Sequence, residues 1–482
     1  MDSIDLLSPP GRVARVRFVS GTLLIEGAPA ARDQLVWDEA AGCARAPAHL
    51  FGEIAARADA DGVVLDGDLR AAWTPAPRSI EALSLRPYQE QALANWELAG
   101  KRGVVALPTG AGKTRVALAA ILSSGVPSVV LCPTRALLAA WASELGAALG
   151  ERIGIVGDGE QRVERVTVMT FESAYRRLDQ VGDRFGLLVV DEVHHFASGA
   201  RSEALEACAA PARLGLSATA PPAGSEGEAT LRRLVGPVVI EVTVEELAGT
   251  HLAELTRVRV PVDLEPEERE AYERLVQPLT SLRRRYFWAH RRATYDEMLR
   301  DTARTAEGRS ALRDWAEGLR IACFPRAKRR LVGALLERHR SDRTIVFTAR
   351  VEDAYAIAER SLIPVIAGDV GAAERERILA RFRDGRIRAI ASARVLNEGI
   401  DVPDARVALI ASGSLGVREH VQRIGRVLRP APGKRALVYE LVTRSTVDER
   451  MSEARGRASD SSRHEKDGRG RRAREGVDAA RP

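Results

Sequence analysis

Residues 104–121 read VVALPTGAGKTRVALAAI, an apolar run followed by a glycine-containing loop and a helix-forming run. A strand that enters such a loop and opens a helix presents backbone N–H groups to phosphates. Lys113 can then reach the β- and γ-phosphates of a nucleotide, and Thr114 can ligate Mg²⁺. The strict pattern has glycine where this chain has Leu107, and a Gly-rich turn that contains Lys-Thr by chance is the alternative. The predicted nucleotide contacts are Pro108, Thr109, Gly110, Ala111, Gly112, Lys113 and Thr114.

A second run, LLVVDEVHH at residues 187–195, places two carboxylates directly after a short apolar strand. Nucleotide sites of open parallel sheets lie beyond the carboxyl ends of the strands. Asp191 can hold Mg²⁺ through water, and Glu192 can orient the water that attacks the γ-phosphate. A solvated turn or a helix cap is the alternative for an Asp-Glu pair at a strand end. The two runs together predict hydrolysis of a nucleotide, with ATP and Mg²⁺ as the cofactors.

Apolar runs alternate with helical stretches from residue 85 onward, which indicates parallel sheets buried on both faces. Strands are expected at 104–107, 128–131, 166–169, 187–190 and 214–216, and again at 344–347, 387–392, 407–410 and 436–441. We predict an α/β protein with two such domains, over 85–260 and 326–447, joined by a helical insert at 261–325 that Pro278 interrupts. A small β-rich or α+β domain over 1–84 and a disordered basic tail over 448–482 complete the prediction.

Composition excludes several other classes of protein. The 482 residues exceed one ordinary domain, and 45% hydrophobic with 29% charged residues is typical of globular chains. The apolar runs are far shorter than the ~20 residues of a membrane helix, and the acidic start is not typical of a signal peptide, so we expect a cytoplasmic protein without a membrane partner. The four cysteines are widely scattered and predict no structural metal cluster. The net charge of +6 decides little, because half of the surplus falls in the tail.

The order of the motifs resembles superfamily 2 helicases and translocases of the DExH type, over roughly residues 85–443, and the resemblance implies that the two α/β domains are tandem RecA-like domains. The stretch LRPYQ at 85–89 resembles the adenine-reading segment of that family, which implicates Arg86 and Gln89 in nucleotide binding. The stretches PTR at 133–135 and TFES at 170–173 resemble its contacts to the nucleic-acid backbone, namely Pro133, Thr134, Arg135 and Thr170. The stretch SAT at 217–219 resembles its coupling motif. The resemblance implies that His194 couples the nucleotide state to Ser217 and Thr219, and a purely structural polar residue is the alternative for His194.

Two further stretches lie in the second α/β domain. NEGIDVP at 397–403 resembles the family motif that approaches the ribose and phosphates, which implicates Gly399 and Asp401. QRIGRVLR at 422–429 resembles the arginine-finger motif. Planar guanidinium groups suit the charge of the γ-phosphate, and delivery from a second domain would make hydrolysis depend on domain closure. The resemblance adds Gln422 to the nucleotide contacts, Arg426 and Arg429 to the catalytic residues, and Arg350 to the nucleic-acid contacts; a charged helix face is the alternative for 422–429.

Within the superfamily the chain resembles the XPB-type branch at 85–89, 107–114 and 394–403. The resemblance implies ATP-driven movement on DNA in the 3′ to 5′ direction, in repair or related DNA metabolism, and it raises a partner nuclease as a candidate. The N-terminal domain is similar in position to the damage-recognition domain of that branch. One element departs: residues 220–228 read APPAGSEGE where XPB-type proteins carry an Arg-Glu-Asp-like element associated with strand separation. We therefore predict stronger translocation than unwinding.

The insert contains SLRRRYFWAHRR at residues 281–292, with five arginines, three aromatic residues and no acidic residue. Arg283, Arg284 and Arg285 are predicted to contact phosphates, and the aromatic rings either stack on bases or pack into the helical core. The predicted function is that of an ATP-dependent DNA translocase or helicase that acts on single strands or duplex junctions. An RNA helicase of the same superfamily and an ATP-gated DNA clamp that recruits a nuclease are the alternatives.

Overall fold

The computed structural model describes residues 13–27, 35–247, 254–393, 405–412 and 435–453. These residues form two compact units. The first contains the described residues up to Leu247, and the second contains those from Glu254 onward.

The described residues of the N-terminal part of the first unit form a five-stranded sheet with one α-helix. In β1 (Val13–Val19) Ala14 and Val16 are buried while their neighbours are exposed, which is the alternation of a strand with one covered face. The sheet order is β3-β4-β2-β1-β5, and α1 (Phe51–Ala60) follows β4. The remaining strands are β2 (Thr22–Glu26), β3 (Val36–Asp38), β4 (Cys43–Pro47) and β5 (Val64–Asp66).

This small sheet shares a hydrophobic core with the α/β domain that follows it. Phe51 meets Trp73 edge to face with ring centroids 5.5 Å apart, and Ala209 of the α/β domain packs in the same cluster. The Trp73 indole donates to the Asp183 carbonyl at 2.9 Å. The predicted boundary at residue 84 therefore separates two sheets that belong to one compact unit.

The first α/β domain is built on an eight-stranded sheet in the order β13-β6-β12-β11-β7-β10-β8-β9. All neighbouring strands are parallel except β8 and β9. Every residue of β7, β10 and β11 is buried, as expected of strands covered by helices on both faces. The strands are β6 (Arg102–Ala106), β7 (Ser128–Cys132), β8 (Gly154–Gly157), β9 (Glu160–Arg162), β10 (Val166–Thr170), β11 (Leu187–Val190), β12 (Ala212–Ser217) and β13 (Val238–Glu241).

Seven helices accompany this sheet. The longest is α4, whose buried residues Leu138, Trp141 and Leu145 follow a spacing of three and four positions, the spacing of one helix face. The helices are α2 (Pro87–Leu98), α3 (Lys113–Ser124), α4 (Arg135–Leu149), α5 (Phe171–Val181), α6 (Glu203–Glu206), α7 (Glu226–Leu234) and α8 (Val244–Leu247).

The second unit contains a six-stranded parallel sheet in the order β14-β19-β18-β15-β17-β16. The predicted domain boundary at residue 260 is wrong, because β14 (Glu254–Val262) pairs along its whole length with β19 of this sheet. β14 lies at the sheet edge, where Pro261 removes no required hydrogen bond. The other strands are β15 (Thr344–Thr348), β16 (Val365–Ile366), β17 (Ala389–Ala393), β18 (Val407–Ile410) and β19 (Arg435–Thr443), with helices α12 (Arg326–Arg338), α13 (Val351–Ser361) and α14 (Ala372–Arg383).

The insert is a helical hairpin made of α9 (Pro266–Ala289), α10 (Tyr295–Arg304) and α11 (Ala306–Cys323). The predicted interruption at Pro278 is wrong, because α9 continues through it. A proline inside a helix costs about 3 kcal/mol, and close packing of α9 on α11 opposes that cost. Gly318 of α11 permits the approach, since a Cβ at that position would collide with Val276 of α9 at 2.8 Å.

The tail prediction is wrong at its first residues. Residues 447–453 are helical, and Asp448 is buried together with Lys328 in an ion pair of 2.8 Å. The Asp448 carboxylate also accepts from the backbone N–H of Thr443, so it fixes the chain as it leaves β19. The part of the tail at 454–482 lies outside the described residues.

None of the described helices combines the length and apolarity required to cross a membrane. Within the same ranges no group of three or more His, Cys, Asp or Glu side chains is placed to hold a metal ion. All four cysteines are buried free thiols.

Candidate nucleotide and nucleic-acid site

One edge of the eight-stranded sheet collects the predicted residues of the first α/β domain. The phosphate loop follows β6, Asp191 follows β11, and Ser217 ends β12. Thr134 follows β7, and Thr170 ends β10. Because these strands are parallel neighbours, their carboxyl ends lie side by side, which is where open α/β sheets bind ligands.

The phosphate loop is a tight turn that only glycine can complete. Gly112 has φ of +79° and caps the N-terminus of α3, whose first residue is Lys113. A Cβ at position 112 would also overlap the Gln89 amide nitrogen. Leu107 fits where the strict pattern has glycine because it still belongs to the sheet: it is fully buried and donates its N–H to the Ser217 carbonyl at 3.0 Å. Lys113 Nζ donates to the Leu107 carbonyl at 3.1 Å, so its ammonium group lies along the loop.

The LRPYQ segment clamps this loop from outside. The Gln89 side chain is buried, accepts from the Arg86 N–H at 2.9 Å and donates to the Ala111 carbonyl at 2.8 Å. Tyr88 donates to the same carbonyl at 2.8 Å, and Arg86 reaches the Tyr88 hydroxyl at 3.2 Å. The contacts of Arg86 and Gln89 with a nucleotide stay predictions, and the structure adds a positioning contact to the loop.

The acidic pair after β11 is held in two different ways. Asp191 is buried, accepts from the Glu192 N–H at 2.9 Å, and accepts from the Trp141 indole at 3.1 Å. Burial raises the pKa of the Asp191 carboxyl, while the charge of Lys113 and the indole bond oppose the rise. Glu192 has the left-handed backbone conformation, with φ of +47° and ψ of +48°, which is costly for a residue with a Cβ. That conformation sets the Glu192 side chain at the start of a short helical turn beyond the strand.

His194 lies beside the proposed catalytic carboxylate, with its Nδ1 atom 3.4 Å from Glu192 Oε2. Its ring stacks on His195 with centroids 4.5 Å apart. The Ser217 hydroxyl donates to the Thr219 carbonyl at 2.7 Å, which makes the coupling motif a compact turn at the end of β12. Since β12 pairs with β6 and β11, the motif adjoins both the phosphate loop and the acidic pair.

Two helix N-termini face the same edge and supply backbone N–H groups for anions. Thr134 caps α4 by accepting from the Leu137 N–H at 3.3 Å, and Thr170 caps α5 by accepting from the Ser173 N–H at 3.2 Å. Arg135 is exposed beside the first of these caps and pairs with Asp158 at 3.1 Å. Pro133 is half-buried directly before that cap.

The basic run of the insert lies at the end of α9. Arg283, Arg284 and Arg285 are exposed, as phosphate contacts require. The aromatic residues divide between the two predicted alternatives: Tyr286 donates to Asp301 of α10 at 2.7 Å and packs within the hairpin, whereas Trp288 is 80% exposed.

The predicted residues of the second unit are only partly described. Arg350 caps α13 and lies 3.3 Å from Glu352, with its side chain 41% exposed. The remaining predictions, for Gly399, Asp401, Gln422, Arg426 and Arg429, lie outside the described residues.

Trp141 and Tyr88 are the two site residues that sequence reasoning missed. Trp141 lies 50 positions before Asp191 on the apolar face of α4, where its pattern is that of a core residue. Tyr88 falls inside the quoted LRPYQ segment, and its position beside Gln89 was the available signal.

Parallel α/β sheets, a phosphate loop and an acidic strand end define a P-loop ATP hydrolase. The model of the "Type III restriction enzyme, res subunit" family matches residues 82–222, and that of the "Helicase conserved C-terminal domain" matches residues 327–431. The chain is 38% identical to the DNA 3'-5' translocase XPB2 of Sulfurisphaera tokodaii, over 79% of this chain and 86% of that protein. It belongs to the XPB-type branch of superfamily 2 helicases and translocases and is an ATP-hydrolysing enzyme.

Other relatives and solved structures agree with this family. The chain is 30% identical to the DNA 3'-5' helicases XPB of Kineococcus radiotolerans and Mycobacterium tuberculosis, over 76% of this chain, and spans 61% and 62% of their lengths. The structure of Saccharomyces cerevisiae Dbp5 bound to RNA and ADP BeF3 aligns over 79% of this chain and 93% of that one, with a TM-score of 0.52 and 16% identity. The Pyrococcus furiosus Hef helicase domain aligns over 79% and 99%, with a TM-score of 0.50 and 16% identity. The predicted fold with two tandem RecA-like domains is confirmed.

Proposed function

We propose that this protein is an ATP-dependent DNA translocase that moves in the 3′ to 5′ direction in DNA repair or related DNA metabolism. One observation carries the proposal. The phosphate loop, the acidic pair, the coupling turn and two anion-binding helix N-termini share one edge of the first α/β sheet. A change at the nucleotide can therefore reach the nucleic-acid contacts through neighbouring strand ends. The XPB names of the relatives support DNA as the nucleic acid and 3′ to 5′ as the direction.

For the hydrolytic step we propose that Glu192 orients the attacking water and that Lys113 neutralises the negative charge of the γ-phosphate. Glu192 accepts a proton as the water oxygen attacks the phosphorus, and the bond to the β-phosphate oxygen breaks to give ADP and phosphate. Thr114 at the start of α3 would ligate Mg²⁺, and Asp191 would hold the ion through water, since oxygen groups are what Mg²⁺ prefers and the buried carboxylate is fixed by the Trp141 indole. The bound ion would neutralise phosphate charge when present. His194 is positioned to sense the Glu192 carboxylate and to relay its state toward Ser217 and Thr219.

Backbone contacts with the strand are assigned to both units. Thr134, Arg135 and Thr170 supply them in the first unit, and Arg283, Arg284, Arg285 and Arg350 supply them in the second. Exposed arginines and helix N-termini bind phosphates without reading sequence, which suits a motor that must step along any strand.

The segment 220–228 bears on unwinding. It forms a turn in which Ser225 caps α7 and the Gly224 N–H donates to Glu228 at 2.6 Å. It presents no aromatic or basic side chain. We infer that the isolated protein displaces bound obstacles more effectively than it opens duplexes, and that a partner nuclease or another factor completes its role.

ATP turnover measured with single-stranded DNA, RNA and no nucleic acid tests the proposal. We expect stimulation by DNA that grows with strand length, because a translocase makes more steps per encounter on a longer strand. Stimulation by RNA alone would favour the RNA helicase, and slow turnover that ignores DNA length would favour the ATP-gated clamp.

A further inference from the structure

The tip of the helical insert carries an exposed tryptophan on a cationic face. Trp288 is 80% exposed in the last turn of α9, three and four positions after Arg285 and Arg284, so the three side chains share one face of the helix. An exposed indole presents a flat face on which a base can stack. Tyr295, at the start of α10, is a second exposed aromatic residue at the same tip, with 49% of its surface exposed.

The arginines around this ring are available for anions. Arg283, Arg284, Arg291 and Arg292 form no ion pair within the described part of the chain, and Arg285 forms only an exposed pair of 3.4 Å with Glu307. Two of the acidic side chains nearby are engaged: Asp301 accepts from Tyr286 and pairs with Arg304 at 3.1 Å, and Glu297 closes the capping box of α10 with Thr294. Asp296 is exposed beside Tyr295. The arginines of the tip outnumber these acidic residues, so its net charge is positive.

The ring is held on a rigid support. Contacts of Val276 with Gly318 and of Arg285 with Glu307 show that α9 and α11 run antiparallel. Tyr272 accepts from the Val447 N–H at 2.9 Å and anchors the base of the hairpin to the segment that follows β19. Trp288 lies sixteen positions after Tyr272 along α9, which places the ring roughly 24 Å from that base at 1.5 Å per residue.

An open cleft of about 680 Å³ lies between the end of α9 and α10, at the same tip of the insert as Trp288, which does not line it. Tyr286 and His290, stacked with centroids 4.5 Å apart, form one wall, and Arg291, Arg292 and Arg300 contribute cations. The volume suits a small-molecule-sized group such as a nucleotide unit. The cations of this cleft and the exposed indole lie at one tip of the insert, and together they offer charge for the phosphates and a stacking face for a base of an unpaired strand.

We propose that Trp288 stacks on a base of single-stranded DNA while Arg284, Arg291 and Arg292 neutralise the neighbouring phosphates. This inference rests on the proposed DNA translocase function and names the element that grips the unpaired strand at a junction. Stacking needs an exposed base face, so the contact discriminates single strands from duplex. It also supplies an aromatic surface that residues 220–228 lack. A protein partner at this tip would require apolar neighbours for the ring, whereas its face-sharing neighbours are the charged Arg284 and Arg285.

The test compares Trp288→Ala with wild-type full-length protein and uses an oligonucleotide that carries 2-aminopurine. Stacking quenches or shifts that fluorescence, and loss of one stacked base should weaken single-strand binding by roughly five-fold to 150-fold. Trp288→Phe should retain most of the affinity and the fluorescence change. Trp37→Ala removes another partly exposed tryptophan, on the N-terminal sheet, and serves as the matched control that leaves both unchanged.

Three results would overturn the inference: an unchanged 2-aminopurine signal in Trp288→Ala, equal weakening for blunt duplex and single strand, or the same defect in Trp37→Ala. Arg291→Ala with Arg292→Ala should flatten the salt dependence of single-strand binding by roughly 0.7 unit per lost contact, and an unchanged slope would remove the phosphate half of the site. The proposed function is judged separately, since DNA-stimulated ATP turnover by the wild-type protein establishes or refutes it whatever Trp288 does.

Discussion

His49 makes the stability of the first compact unit depend on pH. It lies in the first unit, in the short helical turn directly after β4, is 2% exposed, and is bonded to the backbone of Glu206 in the α/β domain. Its Nδ1 atom has no hydrogen-bond partner in the described ranges. Burial, together with the charges of Arg213, Arg233 and Arg102, lowers the pKa of His49 to about 3 from 6.5.

The unfolded chain therefore binds a proton at His49 between pH 6.5 and 3, whereas the folded unit does not. Stability is fully retained above pH 6.5 and is lost as pH falls through this window. With those two pKa values, the free energy of unfolding should be about 2 kcal/mol smaller at pH 5 than at pH 8 on account of His49.

Urea unfolding of wild type and His49→Gln at pH 8 and pH 5 measures this contribution, because glutamine does not titrate. The pH-dependent loss in the variant should be smaller than that of wild type by about 2 kcal/mol. His339→Gln, in the other compact unit, is the control: the decrease in the unfolding free energy of the first unit between pH 8 and pH 5 should equal that of wild type. Equal losses in His49→Gln and wild type would refute the reasoning and show that His49 reaches solvent.

Three further predictions concern the nucleotide site and its support. Lys113→Ala should weaken ATP binding measured by titration, whereas Glu192→Gln should abolish turnover and leave binding intact; equal affinity losses would contradict these roles. Burial raises the pKa of Asp191, so Mg²⁺-dependent ATP binding should strengthen as pH rises through that raised value, and Asp191→Asn should remove this dependence from binding curves. Arg213 is fully buried and donates to backbone carbonyls that include those of Ala210 and Leu234. Arg213→Ala should therefore lower the free energy of unfolding by about 3 kcal/mol or more. A smaller loss in calorimetry would indicate that water replaces the guanidinium.

Local sequence determined the elements that carry the chemistry. The run at 104–121 predicts a strand, a loop and a helix because an apolar segment, left-handed glycines and helix formers are all short-range properties. Parallel topology then follows from strands that are apolar on both faces, as in β7, β10 and β11. Once the strands are parallel, their carboxyl ends coincide, and the grouping of Lys113 with Asp191 follows from the sequence alone.

Weak or contradictory local signals left other features to the tertiary structure. β14 alternates exposed and half-buried residues instead of forming an apolar run, and its place in the second sheet depends on pairing with β19, far along the chain. Pro278 disfavours a helix by about 3 kcal/mol, yet α9 continues because packing on α11 outweighs a local propensity. The polar composition of the sequence from Asp448 onward predicts a disordered tail. Asp448 is nevertheless buried, because it pairs with Lys328, 120 positions away.

The same limit applies inside the site. Asp191 and Glu192 are recognisable in sequence, but the bond from Trp141, the left-handed backbone of Glu192 and the clamp of Gln89 on Ala111 are decided only when distant segments pack. For Trp288 the local sequence is compatible with two roles, a core residue or an exposed ring that stacks on bases. The hairpin geometry distinguishes these two roles. Tyr286 points inward to Asp301, and Trp288, two positions later, points into solvent, because successive helical positions point about 100° apart.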